Sequence, residues 1–276
     1  MMRKRIKLGA LALALFSTFA SGSAYAQGAG DLLVAPTRVV LDGARGTEVI
    51  LNNIGAAPAT YRISLELRRM RPDGSLEEIE QSAANTVEAT TLGMISYAPR
   101  RVTLPPNQPQ SIRIGIRAPQ ALPDGEYRAH MLFRAIPESK PATPSTGPKD
   151  GVSIALTPIY GVTIPIIVRQ GNLSAKAAIS DARIEPGKER DTFSFGLART
   201  GTRSTYGRVR VIKPGIEKPL IDARGIAVYA ELPERRVIFP VDSELAAKLK
   251  GPATIQYLED NDAGGGVIAE LQTVIR

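Results

Sequence analysis

"IALTPIYGVTIPIIVR", residues 154–169, decides how the rest of the chain is read. Every second residue from Ile154 is apolar: Leu156, Tyr160, Val162, Ile164, Ile166 and Val168 share one face, and only Pro158 interrupts the series. The opposite face is mixed, with Ser153, Thr157, Gly161, Thr163 and Pro165 beside Ile159 and Ile167. A two-residue period identifies a β-strand with one greasy side, not a helix. The strand follows "PESKPATPSTGPKDG" (137–151), which carries four prolines and no large apolar residue. That composition cannot build a packed core and predicts a mobile lead-in.

Working outward, the N-terminus has Arg3, Lys4, Arg5 and Lys7, an apolar run from Leu8 to Ala20, and Ala24-Tyr25-Ala26. These are the parts of a secretory signal peptide, expected at residues 1–26. No later stretch reaches the roughly 20 apolar residues of a membrane helix. Four of the 35 basic residues lie in the leader and none of the 27 acidic ones, so a formal charge of +8 becomes +4 after removal. Such a small, dispersed excess argues against a nucleic-acid partner and against membrane insertion. There is no cysteine, which excludes disulfides, thiol chemistry and Cys-ligated metal. Stability must come from buried apolar area, and roughly 250 residues suffice for two cores.

The remaining chain alternates short apolar-polar segments with turn signals. Leu32–Leu41, Thr47–Asn52, Ala59–Arg68, Gly93–Ala98, Gln110–Arg117 and Glu126–Ala135 read as strands, punctuated by Asp42-Gly43, Pro72-Asp73-Gly74, Pro105-Pro106-Asn107 and Pro123-Asp124-Gly125. After Arg169 a second series follows: Lys176–Ile184, Thr192–Thr200, Gly207–Ile212, Gly225–Leu232, Arg235–Val241, Pro252–Glu259 and Gly266–Ile275. "DSELAAKLKG" predicts a short helix capped by Asp242 or Ser243. The pattern predicts an all-β protein of two immunoglobulin-like sandwiches, residues 27–169 and 170–276.

Catalytic constellations are absent. His130, the one histidine, sits in a strand and is expected to have a hydrogen-bonded ring with a structural role. There is no nucleophile elbow, phosphate-binding glycine loop or paired-histidine zinc motif. "GAGD" (28–31) lacks the setting of a dinucleotide site, and Glu77-Glu78 is a solvated pair. Asn172-Leu173-Ser174 matches a glycosylation sequon that chance readily produces. No enzyme, cofactor or metal site is expected.

Three ordered segments carry a family resemblance: "APTRVVLDGARGTEVILNNIGAAPATYRI" (35–63), "APRRVTLPPNQPQSIRI" (98–114) and "LPDGEYRAHMLFRAIP" (122–137). Together they resemble the periplasmic pilus-assembly chaperones of the chaperone–usher pathway, in a divergent branch. The likeness runs from about Leu33 to Arg169 and continues more weakly through the second half.

The resemblance implies two sandwiches set at an angle, a periplasmic location, and donor-strand complementation. In that mechanism the last strand of the first domain completes an unfinished pilus or fimbrial subunit, which then passes to an outer-membrane usher. Carried over residue by residue, the donor strand holds Ile154, Leu156, Tyr160, Val162 and Ile164, with Ile166 and Val168 packing more within the chaperone. Arg38 in "PTRVV" matches the arginine that anchors the subunit's terminal carboxylate. The family's second anchor, a lysine, aligns with Pro165, so half of that anchor is missing. Glu126, Arg169 and Asp260 match an ion-pair network that fixes the domain angle. The free protein is expected to be a monomer or a weakly self-capped dimer. The competing expectation is a two-domain structural or adhesive surface protein whose 151–168 strand is only core.

Overall fold

The structure is a computed structural model that describes residues 31–42, 46–137, 159–260 and 265–276. The leader at 1–26, the proline-rich stretch from 138 onward, and donor candidates Ile154 and Leu156 lie outside the described residues.

Ten strands make the first sandwich: β1 (Leu32–Ala35), β2 (Val39–Asp42), β3 (Thr47–Asn53), β4 (Ala59–Met70), β5 (Leu76–Ile79), β6 (Ile95–Ala98), β7 (Arg101–Leu104), β8 (Gln110–Ile116), β9 (Gly125–Ile136) and β10 (Gly161–Gln170). One sheet runs β1-β3-β8-β6. The other runs β2-β10-β9-β4-β5, with β7 also on β4. The stretch 32–41, expected as one strand, is two: the chain leaves the first sheet after Ala35, crosses through Pro36–Arg38, and joins the second sheet as β2. The same switch recurs between β6 and β7 at Pro99, and both X–Pro bonds are cis.

Alternation turns Val49, Leu51, Ile112, Met131, Phe133 and Ile166 into the space between the sheets, where each is essentially fully buried. At the start of β9, the Tyr127 hydroxyl donates to the Pro123 carbonyl at 2.9 Å. This is the tyrosine corner of immunoglobulin-like sandwiches.

The second sandwich comprises β11 (Ala175–Glu185), β12 (Asp191–Gly201), β13 (Thr205–Ile212), β14 (Ile221–Val228), β15 (Glu234–Val241), β16 (Gly251–Glu259) and β17 (Val267–Ile275). Its sheets are β11-β12-β15 and β14-β13-β16-β17, around a separate core that includes Phe193, Phe195, Val209, Ile255 and Tyr257. The strand expected at 225–232 lies earlier, at Ile221–Val228, because its partner β13 pairs it from Ile221. Tyr229 to Leu232 instead form a turn that faces the first sandwich.

The described residues contain two α-helices. The expected one, α2 (Ser243–Leu249), has Asp242 as its cap, accepting from the Leu245 N–H at 2.8 Å. The other, α1 (Thr86–Met94), was not foreseen: "TVEATTLGM" has no apolar stripe. It is held by an Asn85/Glu88 capping box and by the Arg69 guanidinium, which grips Glu88 with two 2.7 Å bonds.

Candidate subunit-binding edge and interdomain cleft

β10 pairs antiparallel with β9 along its whole length, Gly161↔Arg134 to Gln170↔Gly125. On its other side it pairs parallel with β2 only from Ile166↔Val39 to Arg169↔Asp42. Among the described residues, no strand covers that side of Gly161–Pro165.

The register says which groups are left at this rim. The Ala135 N–H donates to the Tyr160 carbonyl at 2.9 Å, so Tyr160 and Ala135 are a hydrogen-bonded pair. Every second residue after Tyr160, namely Val162, Ile164, Ile166 and Val168, turns its backbone groups toward β9. Gly161, Thr163 and Pro165 turn theirs outward. The rim therefore presents two N–H donors and two carbonyls, those of Gly161 and Thr163; the Pro165 carbonyl faces Val39 at the start of the β2 pairing, and proline, which has no N–H, falls at a position where β9 needs none.

Side chains grade along the same strand. Ile159 and Tyr160 are 50% and 49% exposed, Val162 is half-buried against the first core, and Ile164, Ile166 and Val168 lie inside it. Ile164, expected in the donor set, is 2% exposed and fills its own sandwich. Across the same side of the molecule, β1 is the outer strand of the other sheet, and its Leu33 is 53% exposed. Only Pro36–Arg38 link β1 to β2, so the free edge of β1 and the open half of β10 form two lips of one side of the sandwich.

Arg38 sits just before Val39, and Pro165 just before Ile166, so both mark the fork where β2 leaves β10. Arg38 is half-buried, not an exposed strand arginine. Its guanidinium lies 4.4 Å from the centroid of the Tyr206 ring, on the second sandwich. Pro165 brings neither charge nor donor to the fork.

Beside Pro165 in the ladder stands His130, and beside His130 stands Glu66. His130 is 1% exposed and meets Tyr229 edge-on at 6.3 Å. Neither ring nitrogen has a hydrogen-bond partner among the described residues, contrary to the expected hydrogen-bonded ring. Burial, with Arg128 and Arg68 adding repulsion, lowers its pKa to about 3, so the ring is neutral. Glu66, also buried, accepts from Arg68 Nε at 2.6 Å and from Thr163 Oγ1 at 3.2 Å.

The cleft between the sandwiches is built mainly on the outer face of the β10 sheet. Met70 and Ile167 pack against Ala227 and Tyr229 as a small third core. Of the expected ion-pair set, Arg169 Nε and Glu126 Oε2 stand 3.2 Å apart, with the Glu126 side chain only 1% exposed. Asp260 joins neither of them; its N–H is bound to the Tyr206 carbonyl. The link across the cleft is instead the Ser204 N–H, which donates to Glu126 Oε2 at 3.1 Å.

A second interdomain pair escaped the sequence reading. Arg128 lies over the Tyr229 ring at 3.6 Å and donates to Glu231 at 2.6 Å, while Glu231 also accepts the Met70 N–H at 2.9 Å. Finally, the β4–β5 turn docks on the edge of β15, where the Arg236 N–H donates to the Pro72 carbonyl at 2.6 Å. Nothing in the sequence signalled either contact beyond the turn motif itself.

Neither a protein-family model nor a curated protein sequence matches the chain. Solved structures do. One is the CsuC–CsuE chaperone–tip adhesion subunit pre-assembly complex from the archaic chaperone-usher Csu pili of Acinetobacter baumannii, with 13% identity over 89% of this chain and 99% of that one and a TM-score of 0.48. The YadV chaperone matches with 17% identity over 88% and 100% and a TM-score of 0.47. The E. coli chaperone DraB matches with 14% identity over 89% and 96% and a TM-score of 0.45.

Proposed function

We propose that this chain is a periplasmic chaperone that captures incomplete pilus or fimbria-like subunits by pairing them along the open half of β10 and passes them to an outer-membrane usher. One observation carries the reading: β10 is fully paired with β9 but meets β2 only from Ile166 onward. A strand added at Gly161–Pro165 would gain main-chain hydrogen bonds that tolerate sequence variation, and alternate side chains would set its register. Ile159 and Tyr160, half-exposed at the head of the rim, are the apolar groups ready to be covered. Each contributes on the order of 1–2 kcal/mol when its remaining exposed surface is buried.

In sequence, the apolar alternation continues upstream at Leu156 and Ile154, and Arg38 stands at the fork as the anchor for a terminal carboxylate. With Pro165 in place of a lysine, that anchor has one cation at the fork and leans more on the backbone rim. The Ser204 N–H on Glu126 and the Arg128–Glu231 bridge join the two sandwiches, away from the rim. No step of this activity requires catalysis or a cofactor.

The test is co-expression with a small secreted protein that lacks its final sandwich strand, followed by affinity recovery of the complex. Tyr160→Asp, which puts a charge at the rim without touching either core, should abolish recovery while leaving the melting temperature unchanged. Undiminished recovery would favour a structural or adhesive surface protein.

A further inference from the structure

The outer face of the β10 sheet carries a row of like charges that fold stability does not explain. Arg62 on β4 pairs across the sheet with Arg101 on β7 and with Arg134 on β9. Arg134 in turn pairs with Gly161 on β10. All three arginines are exposed, and among the described residues none of them forms an ion pair or hydrogen bond through its guanidinium group. The Ile63 N–H donates to the Arg100 carbonyl, which makes Arg62 and Arg101 a non-hydrogen-bonded pair, the closer of the two cross-strand spacings. Like charges directly opposite one another destabilise a sheet by a few tenths to about 1 kcal/mol per pair. Elsewhere on the same face charge is compensated: Glu66 with Arg68, Glu126 with Arg169, and Glu231 reaching Arg128 from the second sandwich.

The row ends at the open rim. At Gly161 there is no side chain, and the place of a Cβ is approached most closely by the Leu132 Cδ1 methyl, at 2.9 Å, then by the Phe133 carbonyl at 3.5 Å. A strand paired on the far side of β10 would lie about 10 Å from β9, two strand spacings. An arginine at 134 and a glutamate on that strand span this distance together, across a low apolar floor.

We infer that the Arg101–Arg62–Arg134 row selects an acidic side chain on the segment that pairs along β10, at the position level with Gly161 and on the outer face. The partner is therefore an extended, largely apolar polypeptide with a carboxylate at that one register position. This inference rests on the edge-pairing reading above and fixes where along the rim the partner stops. The apolar alternation of the rim gives affinity, and the charge row gives register, which a backbone ladder alone leaves free to slip by two residues.

The experiment uses the full chain and fluorescence-labelled short peptides of alternating valine and threonine with one central outward residue: glutamate, glutamine or lysine. The glutamate peptide should bind about five- to tenfold tighter than the lysine one at low salt, with the preference shrinking as salt rises. In an Arg62→Gln/Arg134→Gln double variant, whose melting temperature should stay level or rise, all three peptides should bind alike. Equal binding of the three by the native chain overturns the inference and leaves edge pairing standing. Failure of every peptide to bind overturns both. Tighter binding of an oligothymidylate than of the glutamate peptide would mean a general polyanion surface, and would also overturn it.

Discussion

Replacing Thr163 by proline separates the two sides of β10. The register turns the Thr163 N–H away from β9 and toward the rim, so the substitution removes no bond of the β9–β10 ladder. What the free protein loses is the hydroxyl contact to Glu66, about 1 kcal/mol by the usual worth of a side-chain hydrogen bond. The residue before it, Val162, is already extended, as a pre-proline residue must be.

A paired subunit loses more: one of the two rim donors, and a partner carbonyl left facing a pyrrolidine ring. A lost ladder bond of about 1 kcal/mol and an unsatisfied acceptor of 1–3 kcal/mol give roughly 2–4 kcal/mol, or about 30- to 1,000-fold weaker capture. Ile164→Pro is the contrast. It removes a bond to β9 and a core side chain at 2% exposure, a loss of more than about 4 kcal/mol, and should prevent folding. Thermal melting and titration with a captured subunit read the two effects separately. The reasoning is refuted if Thr163→Pro melts as badly as Ile164→Pro, or if it folds and still captures with native affinity.

Removing the carboxylate at Glu126 by an alanine leaves the half-buried Arg169 without its partner and frees the Ser204 N–H, so chemical denaturation should show a loss of about 2–4 kcal/mol. His130 has a pKa near 3 in the folded protein against 6.5 unfolded, so the unfolded chain binds the extra proton between those values. Stability is full above pH 6.5 and falls as pH drops toward 3, by up to about 5 kcal/mol; His130→Leu should flatten that part of a stability–pH curve. Gly74 has φ +86°, and a Cβ there would overlap the Arg235 guanidinium. Gly74→Ala should therefore cost about 1–2 kcal/mol and speed amide exchange at Arg236, whose N–H the turn accepts.

The fold was legible because alternation and turn residues coincide almost everywhere: 47–53 and 125–136 begin and end within a residue of where Asn, Pro and Gly punctuate the sequence. The exceptions have physical reasons. A strand that changes sheets at Pro36 keeps its alternation on both sides of the switch, so the sequence shows no break. α1 owes its existence to a cap and to Arg69 from β4, neither of which leaves a helical period. The apolar face of β10 was readable residue by residue, but the point at which it stops serving its own core was not. The open rim stops where β2 begins, at Val39 opposite Ile166, a contact between residues more than a hundred positions apart. The Glu126–Arg169 pair came from motif matching, whereas Arg128–Glu231 joins two sandwiches through a turn that sequence reasoning had assigned to a strand.

Amide exchange measured at single residues along β10, with and without a captured subunit, tests the open edge most directly. In the free protein Val162 and Ile164 should be protected by β9, while Gly161 and Thr163 exchange freely, and capture should protect those two specifically. Gly161 and Thr163 amides already protected in the free chain, or still exchanging freely in the complex, would contradict the claim that another protein's strand completes its pairing there.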